Sequence, residues 1–163
     1  MPSSTAALSL SAEHREFIQG GVSITAGSVN AERLPSMARV IGCAASEDDR
    51  QVRLLFCPVR AAGLLTDIAA SGRVAVTFSQ PSNNRTLQLK GRDARVEAGS
   101  AEDEALRERY ARAFVADLAK LHFPEALVRV LLQVLAEAPV AVVFHPDAAY
   151  SQTPGPGAGA RLP

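Results

Sequence analysis

Residues 71–96, SGRVAVTFSQPSNNRTLQLKGRDARV, constrain the fold more than any other part of the chain. Val74, Val76 and Phe78 point one way while Ala75, Thr77 and Ser79 point the other, the period of two of a half-buried strand. The segment Gln80 to Asn84 then supplies Pro, Ser and two Asn, which turn the backbone through a fixed φ or side-chain-to-backbone bonds, so a hairpin is expected. In the second strand Leu87 and Leu89 share one face, and Thr86, Gln88, Lys90 and Arg92 share the other. Past Gly91 the apolar parity changes to Ala94, Val96 and Ala98, which predicts a one-residue β-bulge between Gly91 and Asp93. Bulges bend strands, and bent strands close barrels.

The remaining elements follow from pattern and punctuation. Ser11 is a candidate N-cap for a helix over 11–19 that packs Phe17 and Ile18 and stops at Gly20-Gly21. A strand over Val22 to Ala26, a polar loop over Gly27 to Pro35 and a strand over Ser36 to Ala45, apolar on both faces, come next. After the acidic turn at Glu47 to Asp49, Gln51 to Cys57 forms a strand, and Leu64, Leu65, Ile68 and Ala69 mark a helix that Gly72 ends. Ser100 and Asp103 open a helix running to about His122, with Leu106, Tyr110, Ala113, Phe114, Leu118 and Leu121 as its core stripe. Pro124 opens another, whose apolar face is Leu127, Val130, Leu131, Val134 and Leu135, and Pro139 to Phe144 is a last strand.

Five or six strands with no regular strand-helix alternation argue for a mainly β, α+β fold, an antiparallel sheet closed or nearly closed into a small barrel. At 163 residues and 47% hydrophobic content, one core is expected; the domain covers 1–150, and the Gly- and Pro-rich tail 151–163 reads as a disordered end. Lys plus Arg equals Asp plus Glu at 17 each, so no global field draws nucleic acid. Cys43 and Cys57 lie in apolar runs without Cys-x-x-Cys spacing, which fits buried thiols in a reducing cytoplasm. No stretch approaches the ~20 apolar residues of a membrane span. His14, His122 and His145 lack zinc spacing, phosphate-binding glycine motifs are absent, and no catalytic residue is assigned.

Several polar residues remain as candidates. Arg39 in an apolar strand either faces a ligand or an interface, or pairs with Glu32 or Asp67. Thr86, Gln88 and Lys90 line one strand face, which suits a cofactor or a solvated surface equally. Arg60, at the start of a helix, stands where the dipole favours an anion, or is an ordinary surface arginine.

Taken in order, PSMARVIGCAA, RLLFCPVRAAGLLTDIAASGRVAVTF, RTLQLKGRDARVEAG and the acidic-start helix resemble the pyridoxamine 5′-phosphate oxidase-like split β-barrel family, from about Gly20 to His145. The resemblance implies a homodimer with FMN sites at the interface and an oxidoreductase acting on a small molecule. Arg39-Val40 matches a strand of the family whose Arg contacts the flavin or its phosphate. Arg60 lies near the Ser-Arg-Lys phosphate clamp, and Thr86 takes the place of a residue at the isoalloxazine edge. The clamp itself has become Pro58-Val59-Arg60-Ala61-Ala62, so Arg85 and Lys90 would supply the missing charge. The alternative is a non-enzymatic binding or sensor protein on the same barrel, with haem or a deazaflavin in place of flavin. Arg161, on a Pro-stiffened arm, would in a further reading reach the partner's site.

Overall fold

The computed structural model describes residues 8–132 and 137–163. Within them α1 (Ala12–Ile18) precedes β1 (Ser23–Val29), β2 (Pro35–Arg39), β3 (Gly42–Ala45) and β4 (Val52–Phe56). Then come α2 (Ala62–Ser71), β5 (Val74–Ser79), β6 (Thr86–Gly91) and β7 (Arg95–Ala98). The chain continues with α3 (Ala101–Ala119), α4 (Glu125–Leu132), β8 (Val140–Phe144) and β9 (Ala148–Ser151). All strand pairs are antiparallel, in a five-stranded sheet ordered β2-β1-β5-β6-β9 and a four-stranded sheet ordered β3-β4-β8-β7.

The two sheets pack their inner faces together. Ile24, Val76, Phe78 and Leu89 of the first meet Val52, Leu54, Phe56, Val142 and Phe144 of the second in one buried cluster, which α1, α2 and α3 extend through Phe17, Ile18, Leu64, Ile68 and Phe114. Burial alternates strictly along β5, as its sequence requires.

Local signals explain several boundaries. The backbone N–H of His14 donates to Ser11 Oγ at 3.1 Å, the N-cap bond expected there. Gly72 ends α2 at φ +66°, its N–H donating to Ile68 O, and a Cβ there would stand 2.8 Å from Arg92 O. The backbone N–H of Ser100 donates to Asp103 Oδ2 at 2.8 Å at the head of α3.

Other expectations are corrected. The loop expected over 27–35 shrinks to 30–34, because Gly27 and Ser28 pair with Met37 and Ser36 and so extend the β1–β2 hairpin. The single strand expected over 36–45 is two strands in different sheets: Val40 N–H still bonds Ile24 O, whereas Ile41 N–H already bonds Leu55 O. The apolar run looks doubly buried because it crosses from one sheet to the other. The parity change after Gly91 is likewise a change of sheet and not a bulge, since β6 pairs with β5 and β9 while β7 pairs with β8.

The helical hairpin also differs. α3 ends at Ala119, with His122 at φ +64° in the turn that follows. α4 buries Val128 and Leu132, and leaves Leu127, Val130 and Leu131 exposed; Val134 and Leu135 lie outside the described residues. The tail is no disordered end. β9 adds to β6, the chain turns, Arg161 bridges back to Tyr150, and Leu162 N–H donates to Ala149 O at 2.8 Å.

Candidate functional site

The outer face of the five-stranded sheet carries the candidate site. Cross-strand partners share a face, so the register Arg39–Thr25–Thr77–Gln88–Tyr150 is one row running across every strand. The row Met37–Gly27–Ala75–Lys90–Ala148 lies on one side of it, and Ser23–Ser79–Thr86 on the other. These positions are mostly half-buried, in alternation with the fully buried inner residues. None of them carries a carboxylate.

Among the described residues the cations on this face have no acidic partner. Arg39 Nη1 donates to Ser23 Oγ at 3.2 Å, and Lys90 Nζ stands 4.9 Å from the centre of the Tyr150 ring. Arg161, brought beside Tyr150 by the returning tail, donates only to the Asp147 carbonyl, at 3.5 Å. Among the described residues none of these cations forms an ion pair. Arg39 therefore does not take the carboxylate pairing open to it in the sequence; Asp67 instead accepts from Ser36 Oγ at 2.6 Å. Between the charged ends lie hydroxyls and an amide: Ser79 and Thr86 share a bond of 2.9 Å, and Gln88 Nε2 donates to Thr77 Oγ1 at 3.4 Å.

Thus Arg39, Thr86, Gln88 and Lys90 share one face of the sheet, with Arg39 three strands from the other three. Val40, one residue on, is turned inward and fully buried. Arg85 leaves the group, because its parity opposes that of Thr86: its guanidinium stacks 4.5 Å from the Phe17 ring centre and pairs with Glu13 at 2.6 Å. It lines a separate cleft of about 340 Å³ with Glu13, Glu16 and Gln80. Arg60 is exposed in the turn before α2 and is not a member of the outward-facing strand rows.

Helix α3 braces this platform. Tyr110 Oη donates to Val22 O at 2.8 Å; burial pushes its phenol well above the usual range, against the opposing charge of Arg39. Asp117, 3% exposed, accepts from Gln80, Ser82 and Lys120 and so fixes the β5–β6 turn. Tyr150, Thr25 and Asp117 were not singled out in the sequence as site or bracing residues, and Arg161, read there as an arm toward a partner's site, bridges back to Tyr150 of its own chain. The Ala148/Tyr150 alternation was the available signal for β9, and it is only four residues long.

Among the described residues no group of three or more His, Cys, Asp or Glu side chains is placed to hold a metal, and no helix is long and apolar enough to cross a membrane.

No protein-family model matches the sequence, and no curated protein is detectably similar to it. Solved structures do match. HupZ from Group A Streptococcus is similar at 12% identity and a TM-score of 0.52, over 92% of this chain and 99% of that one. An F420 reductase aligns at 16% identity and 0.54, over 82% and 92%. A Lactobacillus delbrueckii protein provisionally designated a pyridoxamine 5′-phosphate oxidase aligns at 13% identity and 0.53, over 92% and 98%. Among the described residues nine antiparallel strands form two sheets with peripheral helices, and the likeness to these structures gives the chain the split β-barrel fold of the pyridoxamine 5′-phosphate oxidase-like proteins.

Proposed function

We propose that the outer face of the five-stranded sheet binds FMN, and that the protein is an FMN-dependent oxidoreductase acting on a small molecule. The observation that carries this reading is the row Arg39–Thr25–Thr77–Gln88–Tyr150, accessible to solvent and free of carboxylates, in a chain of zero formal net charge. A phosphate needs charge-assisted donors, and Arg39 offers a guanidinium held by only one weak side-chain bond. Hydroxyl and amide groups at Thr25, Thr77, Thr86 and Gln88 suit the carbonyl and ring-nitrogen edge of a flavin. Bound there, the flavin would supply the two-electron chemistry, and the chain's own residues would position it and keep water from one side.

A homodimer completes the site in this reading. Met37 stands on the same face and is 75% exposed, with Leu34 at 62% in the adjoining turn, so a second copy laid over this edge would bury apolar surface and close the groove. The cytoplasm suits such a protein, with both thiols buried and free.

A second reading is favoured by one observation: Arg85 is turned away from Arg39 and Lys90 to Phe17 and Glu13, which leaves a phosphate fewer cations than the family's clamp provides. In that case the same face serves a non-enzymatic binding or sensor protein that takes a deazaflavin or haem. A visible spectrum of the freshly purified protein, with mass spectrometry of the molecule released by heat, separates the two. Stoichiometric FMN supports the first reading; another chromophore, or none together with failure to take up added FMN, overturns it.

A further inference from the structure

The cleft beside α1 has a construction of its own. Glu13, Glu16 and Phe17 recur at i, i+3 and i+4, so one side of the helix carries two carboxylates and an aromatic ring. They face Gln80 and Arg85, which bracket the β5–β6 turn, across a volume of about 340 Å³. The cleft is built on rigid supports. Gly21, in its lining, packs so closely on α3 that a Cβ would lie 2.4 Å from Ala113 O. The Gln80 amide is committed at both ends, Nε2 donating to Asp117 Oδ1 and Oε1 accepting from Asn83 Nδ2, each at 3.0 Å.

The charged groups are not so committed. Arg85 lies over the Phe17 ring, 4.5 Å from its centre, and donates Nη2 to Glu13 Oε1 at 2.6 Å. A guanidinium carries five N–H donors in a fork; among the described residues Glu13 is the only carboxylate that Arg85 meets. Glu16 forms no ion pair among the described residues, and its neighbour Arg15 is held by Asp49 at 2.8 Å. Two carboxylates against one guanidinium leave the cleft one negative charge in excess. A simple anion meets repulsion from both glutamates, and a simple amine leaves the donors of Arg85 unmatched. A carboxylate accompanied by two cationic groups matches both the donors and the charge.

We propose that this cleft binds a free basic amino acid, with its carboxylate on Arg85 and its cationic groups against Glu16 and Glu13. The Phe17 ring keeps the guanidinium in place to receive the carboxylate, and the fork of Arg85 fixes its orientation. The volume is at the small end of the range for ligand pockets, about 300–1,000 Å³, which suits a single amino acid. The site is separate from the polar face: Arg85 and Thr86 adjoin in sequence but have opposite parity, so the two ligands occupy opposite sides of the hairpin. The proposal does not rest on the FMN reading.

The test is a calorimetric titration of the full-length protein with L-lysine at fixed ionic strength. The cleft predicts saturable binding of one lysine per chain, with affinity reduced about tenfold in Arg85→Gln and about tenfold in Glu16→Gln. The Arg85 side chain is 40% exposed and Glu16 is exposed, so both variants should melt as the parent does. Cadaverine, which keeps both ammonium groups of lysine and lacks the carboxylate, should bind about tenfold more weakly, and L-glutamate should give no saturable heat. Absence of saturable binding by lysine, an affinity unchanged in both variants, or cadaverine bound as tightly as lysine would overturn the proposal. Repeating the lysine titration after saturation with FMN tests the separation of the two sites. Unchanged affinity supports it, whereas lysine expelled by FMN would put it on the polar face, against the inference. A protein that takes up no FMN refutes the flavin reading alone, and the first titration still decides the cleft.

Discussion

Asp117 grips Ser82 with both carboxylate oxygens: Oδ2 accepts the backbone N–H at 3.1 Å and Oδ1 accepts the hydroxyl at 2.6 Å. A helix side chain thereby fixes the turn that joins the two central strands of the polar face. Gln80 and Lys120 also donate to Oδ1. Burial raises the carboxyl, but these donors outweigh it and hold Asp117 below the usual carboxylate range.

Asp117→Ala should destabilise the protein by about 2–3 kcal/mol, since it leaves several donors at the turn unsatisfied. Chemical denaturation gives the magnitude. Hydrogen exchange should show the loss concentrated at residues 80–86, and uniform acceleration across both sheets would contradict the local role.

The four-stranded sheet is tied to α3 by an acid-sensitive link. Arg53 reaches Asp103 in bidentate fashion at 2.8 and 2.7 Å and Glu97 at 2.9 Å. Asp103 is held below its ordinary range, first by Arg53 and then by the Ser100 backbone, against burial. A carboxyl depressed on folding contributes stability that is complete above its unfolded pKa of ~3.9 and is lost as pH falls through the lower folded value. Asp93 follows the same sign: burial raises it, but the backbone N–H and ring of His145, the latter at 2.6 Å, more than offset that. The midpoint of thermal unfolding should therefore drop steeply below about pH 4. Asp103→Asn should flatten that limb at a cost on the order of 3 kcal/mol near neutrality, and an unchanged acid limb would refute the assignment.

Gly91 is where β6 passes over the core before the chain changes sheets. A Cβ there would lie 2.5 Å from Phe144 Cδ2, and Phe144 is fully buried. Gly91→Ala should cost about 1–3 kcal/mol through overpacking. A substitution that is neutral in a denaturant melt would mean that Phe144 can give way.

If the Met37 edge closes the site, Met37→Asp should turn a dimer into a monomer by sedimentation and weaken FMN retention, while thermal stability of the isolated chain changes little at this exposed position. A dimer that survives the substitution would place the interface elsewhere.

The sequence makes the β5–β6 hairpin plain because Val74, Val76 and Phe78 alternate without interruption and Gly72 and Pro81 bracket them. The passage from β2 to β3 is hidden, since Val40 and Ile41 are both apolar and Gly42, which opens β3, sits inside the apolar run without a polar turn residue beside it. On α4 periodicity points the wrong way: Glu125 and Arg129 mark one polar side and Leu127, Val130 and Leu131 lie opposite it, yet packing puts Val128 and Leu132 inside. Arg39, Thr86, Gln88 and Lys90 share a face because strand parity fixes it. Tyr150 and Arg161 join them only through a hairpin return, and composition alone reads that segment as a loose end.

The most direct test is a calorimetric titration of FMN into cofactor-free protein and into Arg39→Gln. The polar-face reading predicts one site per chain in the parent and a loss of affinity of tenfold or more in the variant. Equal affinity in the two proteins, or no heat of binding in either, would contradict it.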